Sequence, residues 1–189
     1  MPARPLRSAL LVLGSTVCLA AIPAVAHAQP SLVILVRHGE KQPAPADDPS
    51  LSAAGVARAK ALDVALTGTT PSTIVVSQRK RTVETAAVVQ QRTGVTPTVI
   101  GLDADHVKHV AAAVMKASGV VLVVGHSNTV PAIVTALGGP KLPDLCDASY
   151  ATMFLVVPGR DGQKAQVVRS AYGAPDAIGA DQCQGMQAK

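Results

Sequence analysis

Unbroken apolar runs and mixed stretches alternate along the chain. Residues 32–36, Leu-Val-Ile-Leu-Val, are wholly apolar and rich in β-branched side chains. That is the pattern of a short strand covered on both faces. Residues 120–124 repeat it, 72–76 is a second β-branched run opening on Ser72 and Thr73, and 96–100 is a weaker version. Between these runs, Ala, Val and Leu are interspersed with polar residues over lengths suited to helices. The first is expected over 52–66, with Ser50 or Ser52 as its cap. A second opens after Ser77 and reaches about residue 92, a third spans 103–117, and a short fourth spans 130–137. Gly94, Gly119 and Gly138-Gly139-Pro140 provide stops, and Pro131 falls in a first turn, where it is tolerated. Two last strands, 152–157 and 165–169, flank Pro158-Gly-Arg-Asp-Gly162, a cluster suited to a hairpin turn.

Strands alternating with helices predict an α/β fold: a three-layer α/β/α sandwich around a mainly parallel central sheet. No internal repeat or second domain is visible. Residues 1–28 read as a secretory signal, with Arg4 and Arg7 in front, an apolar stretch from 9 to 26, and Ala26-His27-Ala28 as a small-x-small cleavage site. The expected mature domain is 29–189, periplasmic or secreted, with no stable membrane insertion after cleavage. Cys18 leaves with the leader. The remaining pair, Cys146 and Cys183, suggests one disulfide in that compartment.

Composition narrows the ligand. Aromatic residues make up 2% of the chain, with no Trp. There is no platform for stacking bases, which argues against single-stranded nucleic acid. Without Arg4 and Arg7 the chain has 15 basic residues against 12 acidic ones, from totals of 17 and 12. That excess of three is too dispersed for a nucleic-acid surface. The sequence does not fix an oligomeric state.

Three of the buried strands end in matching polar groups. The first delivers Arg37 and His38. The second delivers Ser77, then Arg81 one turn into the next helix. The third delivers Gly125 and His126, followed by Ser127 and Asn128. In a parallel sheet these carboxyl ends share one edge, where open α/β sheets place ligands. Two guanidiniums and two imidazoles suit phosphoryl transfer, so the expected partner is a small phosphorylated substrate. The planar forks clamp phosphate oxygens, and their positive field favours neutral imidazole, leaving a ring nitrogen free to act as nucleophile. The helix near Thr129 adds backbone N–H donors.

These residues also resemble a known family. Leu35-Val-Arg-His-Gly-Glu40, Ser77-x-x-x-Arg81-x-x-Glu84-Thr85-Ala86 and Val124-Gly125-His126-Ser127 are similar to the three motifs of the histidine phosphatase (phosphoglycerate mutase-like, branch 1) superfamily. Leu51-Ser52-Ala-Ala-Gly55 resembles a Leu-Thr-x-x-Gly motif that often follows the first. The resemblance implies a metal-independent phosphohydrolase without a cofactor, with His38 as the residue that becomes phosphohistidine. Arg37, Arg81 and His126 would complete the pocket, with Ser127 and Asn128 beside it. A non-catalytic phosphate-binding protein is the main alternative, and a phosphomutase a weaker one. His106 and His109, three residues apart, read as an exposed helical pair rather than metal ligands. The family's usual Pro and Gln in the second motif are Gln78 and Glu84 here. Relatives place the proton-donating carboxylate either between the second and third motifs or directly after the last His. Residue 127 is Ser, and 93–119 contains no Glu. Asp105 is the first choice for the acid, with Asp103 and Glu40 as alternatives.

Overall fold

The computed structural model describes residues 29–160 and 163–176. The leader, Cys183 and part of the last hairpin turn lie outside them. The elements run β1 Pro30–Arg37, α1 Ala53–Ala65, β2 Thr73–Ser77, α2 Lys80–Thr93, β3 Thr98–Ile100, α3 His106–Lys116, β4 Gly119–Gly125, α4 Thr129–Ala136, β5 Thr152–Val157 and β6 Gln166–Ala171. They form one six-stranded sheet of order β3-β2-β4-β1-β5-β6. The pairs β2–β3, β2–β4 and β1–β4 are parallel, whereas β5 is antiparallel to both β1 and β6. Only β5 therefore opposes the other five strands.

The unbroken apolar runs are explained by burial on both faces. Val33, Leu35, Val121 and Val123 point to one side and pack with Val110 and Val114 of α3 and Val130, Ile133 and Val134 of α4. Ile34, Val36, Leu122 and Val124 point to the other and pack with Leu62 of α1 and Ala86 and Val89 of α2. Successive strand residues thus serve two separate cores, which a period of two permits. The register Leu35↔Val123 and Arg37↔Gly125 between β1 and β4 brings their carboxyl ends level.

Helix ends follow local chemistry. Ser52 caps α1, its Oγ accepting from Gly55 N at 3.2 Å. Gly94 closes α2 in the left-handed region at φ 71°. The third helix starts later than its periodicity predicts. Asp103 Oδ1 accepts from Asp105 N at 3.0 Å, an Asx turn that competes with the helix, so α3 begins at His106.

Candidate active site

Arg37 and His38 leave β1 at the edge where β4 ends, and His38 N donates to Gly125 O at 3.0 Å. The next residue, Gly39, donates its N–H to Thr85 Oγ1 at 2.9 Å. This ties the loop after β1 to α2. A close backbone approach fixes the other side. A Cβ on Gly39 would lie 2.9 Å from Gly55 O, and one on Gly55 would collide with Glu40 O. Both positions therefore need glycine for contact rather than for an unusual φ. Glu84 Oε2 accepts from Leu51 N at 2.7 Å. The Thr and Glu of the second motif are thus structural fasteners for the segment around His38.

His38 is buried, and its Nδ1 donates to Gly39 O at 2.7 Å. That bond assigns the proton to Nδ1 and leaves the lone pair on Nε2. Arg81 Nε donates to that nitrogen at 3.1 Å. Burial, then the charges of Arg37, His126 and Arg81, lower the pKa of His38 to about 3, against the opposing bond to Gly39. The ring is therefore neutral at physiological pH, with its free nitrogen facing the cleft's guanidinium.

His126 stands edge-on to His38, with ring centroids 5.3 Å apart. Its Nδ1 lies 3.4 Å from Arg81 Nη2 and its Nε2 lies 3.0 Å from Ser77 Oγ. An arginine can only donate, so Nε2 carries the proton and gives it to Ser77. Ser77 Oγ is 3.0 Å from Thr82 Oγ1, which donates onward to Arg79 O at 2.8 Å. A hydroxyl relay from β2 into α2 thus fixes the second imidazole. Burial, then Arg81, lowers His126 to about 3 as well.

Arg37 is 4% exposed. Its Nη1 donates to the carbonyls of Cys146 and Ser149 at 2.7 and 3.1 Å, and its guanidinium lies 4.1 Å from the centroid of the Tyr150 ring. Nε is buried with no hydrogen-bond partner among the described residues. One edge of the guanidinium is thus anchored by backbone, and the residue also lines the cleft described next.

The resulting cleft has a volume of about 330 Å³, and its lining includes Arg37, His38, Arg81, His126, Ser127 and Asn128. All the residues read as phosphate-contacting groups in the sequence therefore meet there. Lys41, Arg79 and Asp147 also line it; the loop from Lys41 to Pro49 reads in the sequence as part of the pocket's outer wall, whereas Arg79 and Asp147 have no role there. A separate cavity of about 350 Å³ beneath the 140–149 loop is largely apolar. It holds no imidazole, so the chemistry belongs to the polar cleft.

The proton-donor candidates fall elsewhere. Asp105 is exposed at the N-terminus of α3 and does not line the cleft, and Asp103 is likewise exposed. Glu40 is clamped by Arg58, with contacts of 2.7 and 2.9 Å to Oε1. Burial would raise its pKa, but the bonds from Arg58 outweigh that and hold the carboxylate below its ordinary range. The carboxylate in the cleft lining is Asp147, 74% exposed and 3.9 Å from Arg37 Nη2. His106 is a correction. It is not exposed but buried, with Nδ1 2.7 Å from Gly101 O, while His109 is exposed as expected.

A neutral imidazole between two guanidiniums, at the carboxyl edge of parallel strands, defines a site able to bind and accept phosphoryl groups. Residues 33–101 match the family model described as histidine phosphatase superfamily (branch 1). The first two motifs lie inside that match, and the third stands beyond it at the end of β4. Solved structures share the fold. The protein histidine phosphatase SixA complexed with tungstate is 19% identical, with a TM-score of 0.61, covering 74% of this chain and 96% of that one. A SixA phosphohistidine phosphatase from Agrobacterium tumefaciens is 21% identical, with a TM-score of 0.57 and coverages of 77% and 99%. A mycobacterial glucosyl-3-phosphoglycerate phosphatase with inorganic phosphate is 20% identical, with a TM-score of 0.52 and coverages of 79% and 100%. No curated protein matches the chain by sequence.

Proposed function

We propose that the protein is a metal-independent phosphohydrolase that acts through a phosphohistidine on His38. The observation that carries this reading is the state of His38: neutral, with Nδ1–H committed to Gly39 O and Nε2 directed at Arg81. In the first step Nε2 attacks phosphorus while the bond to the leaving atom breaks, and that atom takes the electron pair. Arg37 and Arg81 neutralise the oxygens of the transferring group. Arriving phosphate draws Arg81 away from His126, and its negative charge favours transfer of a proton from solvent to His126 Nδ1, which then donates to the phosphoryl oxygen. In the second step water attacks the phosphohistidine, releases inorganic phosphate and restores His38.

The leaving group receives little help. Glu40 is committed to Arg58, and Asp105 lies outside the cleft. Substrates whose leaving groups need no proton from the enzyme are therefore favoured: aryl phosphates, acyl phosphates, or phosphohistidine, whose ring leaves as neutral imidazole after its other nitrogen takes a proton from solvent. The phosphohistidine phosphatases of the same fold lend weight to the last class. Export belongs to the same proposal, and N-terminal sequencing of the secreted protein should find Gln29 first.

The test is turnover of p-nitrophenyl phosphate in excess EDTA. Wild type should be active, and His38→Ala should lower kcat by at least about a thousandfold. Phenyl phosphate, with its poorer leaving group, should turn over far more slowly. EDTA-sensitive activity, or activity surviving His38→Ala, would sink the mechanism. Tight phosphate binding without turnover of any phosphoryl compound would favour the non-catalytic alternative.

A further inference from the structure

The cleft carries more positive charge than a phosphate group needs. Its lining holds four permanent cations, Arg37, Lys41, Arg79 and Arg81, against one carboxylate, Asp147, with both imidazoles neutral. The net charge is +3, so a phosphate dianion leaves +1. Arg37 and Arg81 flank His38 and are used by the transferring group. Lys41 and Arg79 are surplus to it.

Their placement is built rather than accidental. Arg79 is the residue before α2, in extended conformation, and its side chain makes no capping bond to the helix. Instead its Nη1 donates to Asp47 O at 3.2 Å. Asp47 belongs to the loop that begins with Lys41. That loop is closed at its root by the Lys41↔Leu51 bridge and by the bond from Gln42 N to Ser50 O at 2.9 Å. Both surplus cations are thus carried by one joined wall. Neither has an ion-pair partner among the described residues, whereas Asp48 on the same loop is engaged by Lys80 N at 3.1 Å and stands 3.9 Å from Arg81. The charge of Arg79 also reaches the site. After burial it is the main influence lowering Arg81, and it contributes to the lowering of His126. Such like-charge crowding costs stability in the free protein and is relieved by a ligand with more than one anionic group. Arg79 also stands where the family's second motif usually has Leu, so this feature is the chain's own.

We infer that Lys41 and Arg79 form a second anion subsite, and that the substrate is a phosphorylated molecule carrying a further anionic group, a carboxylate or another phosphate. This rests on the phosphate-binding half of the proposed function. A cleft of about 330 Å³ is near the lower end of small-molecule sites and admits such a compound.

The experiment is equilibrium binding by calorimetry at neutral pH and fixed ionic strength. It compares methylphosphonate with phosphonoacetate, 3-phosphonopropionate and pyrophosphate, none of which requires turnover. At least one two-anion probe should bind about tenfold or more tightly than methylphosphonate. That advantage should fall to about threefold or less in Arg79→Leu with Lys41→Gln, and partly return in Arg79→Lys. The single Lys41→Gln variant, an exposed change, gives an intermediate ratio if the double variant folds poorly. Equal affinities in wild type, or an advantage that survives both substitutions, overturns the subsite. Preference for pyrophosphate alone would assign the second group as phosphate. Binding of the probes without turnover of p-nitrophenyl phosphate would remove the hydrolase reading and leave the subsite standing. Failure of every probe to bind overturns both.

Discussion

His38 and His126 are held neutral by their surroundings, and this has a price in acid. Both have pKa values near 3 in the folded chain, against about 6.5 when unfolded. Between these values the unfolded state binds more protons, so stability is fully present above pH 6.5 and is lost as pH falls toward 3. At pH 5 the loss is about 2 kcal/mol for each imidazole. The melting temperature should fall by roughly 8–16 °C between pH 7.5 and pH 5 and recover in part with saturating inorganic phosphate, whose charge favours the imidazolium. A flat melting curve across that interval would contradict the assignment. Ser77→Ala should tell positioning from binding: loss of the relay frees the His126 ring, lowering kcat about tenfold or more while phosphate affinity changes less. At this scale Arg37, His38, Arg81 and His126 were legible because strand-end chemistry and motif spacing both pointed to them. Arg79 and Asp147 were not, since a charged residue in a polar segment looks the same whether it faces solvent or a cleft. His106 was misread for a related reason. Its burial comes from a bond to Gly101 O, a backbone atom that leaves no trace in the sequence.

Elements were legible wherever an apolar run decided them. Strand β5 has the predicted bounds, and α1, α2 and α4 differ by a residue or two at their ends. The α1 stripe is harder to read, since its buried positions are Gly55, Arg58, Ala59 and Leu62. A glycine and an arginine on the inner face conceal the periodicity. Both have reasons. Gly55 admits the backbone of Glu40, and Arg58, buried, bonds Glu40 and the carbonyls of Tyr172 and Ala174 at 3.3 and 3.1 Å. Gly55→Ala should force α1 away from the loop that holds His38. The expected cost is about 1–3 kcal/mol, with kcat/KM reduced more than the melting temperature suggests. Unchanged kinetics would show that the loop tolerates the shift. Arg58→Met should cost about 3–5 kcal/mol by stranding the Glu40 carboxylate, and Arg58→Met with Glu40→Gln should recover much of it. The loop from 138 to 151 was read only as a connection. It grips Arg37 through carbonyl oxygens, which any residue type supplies, so no side-chain pattern could reveal the task.

Across the whole molecule, the three-layer arrangement and the shared strand edge followed from alternation of elements, whereas strand order did not. β4 lies between β1 and β2, and β5 closes against the far side of β1. The phosphate clamp is therefore assembled from distant parts of the chain, with Arg37 held by carbonyls 109 and 112 residues away. A ribosome emits β1 and β2 long before the strand that must separate them. Until residues 119–125 emerge, neither has its central neighbour, and until residues 146–149 arrive Arg37 has no anchor. A fragment ending at Ala117 should show no cooperative unfolding and no phosphate binding, and adding the remainder in trans should restore both only if the two pieces associate. A nascent chain therefore presents strands without their central neighbour to its surroundings and no phosphate-binding capacity, so this protein acquires its chemistry in a single late event rather than by degrees.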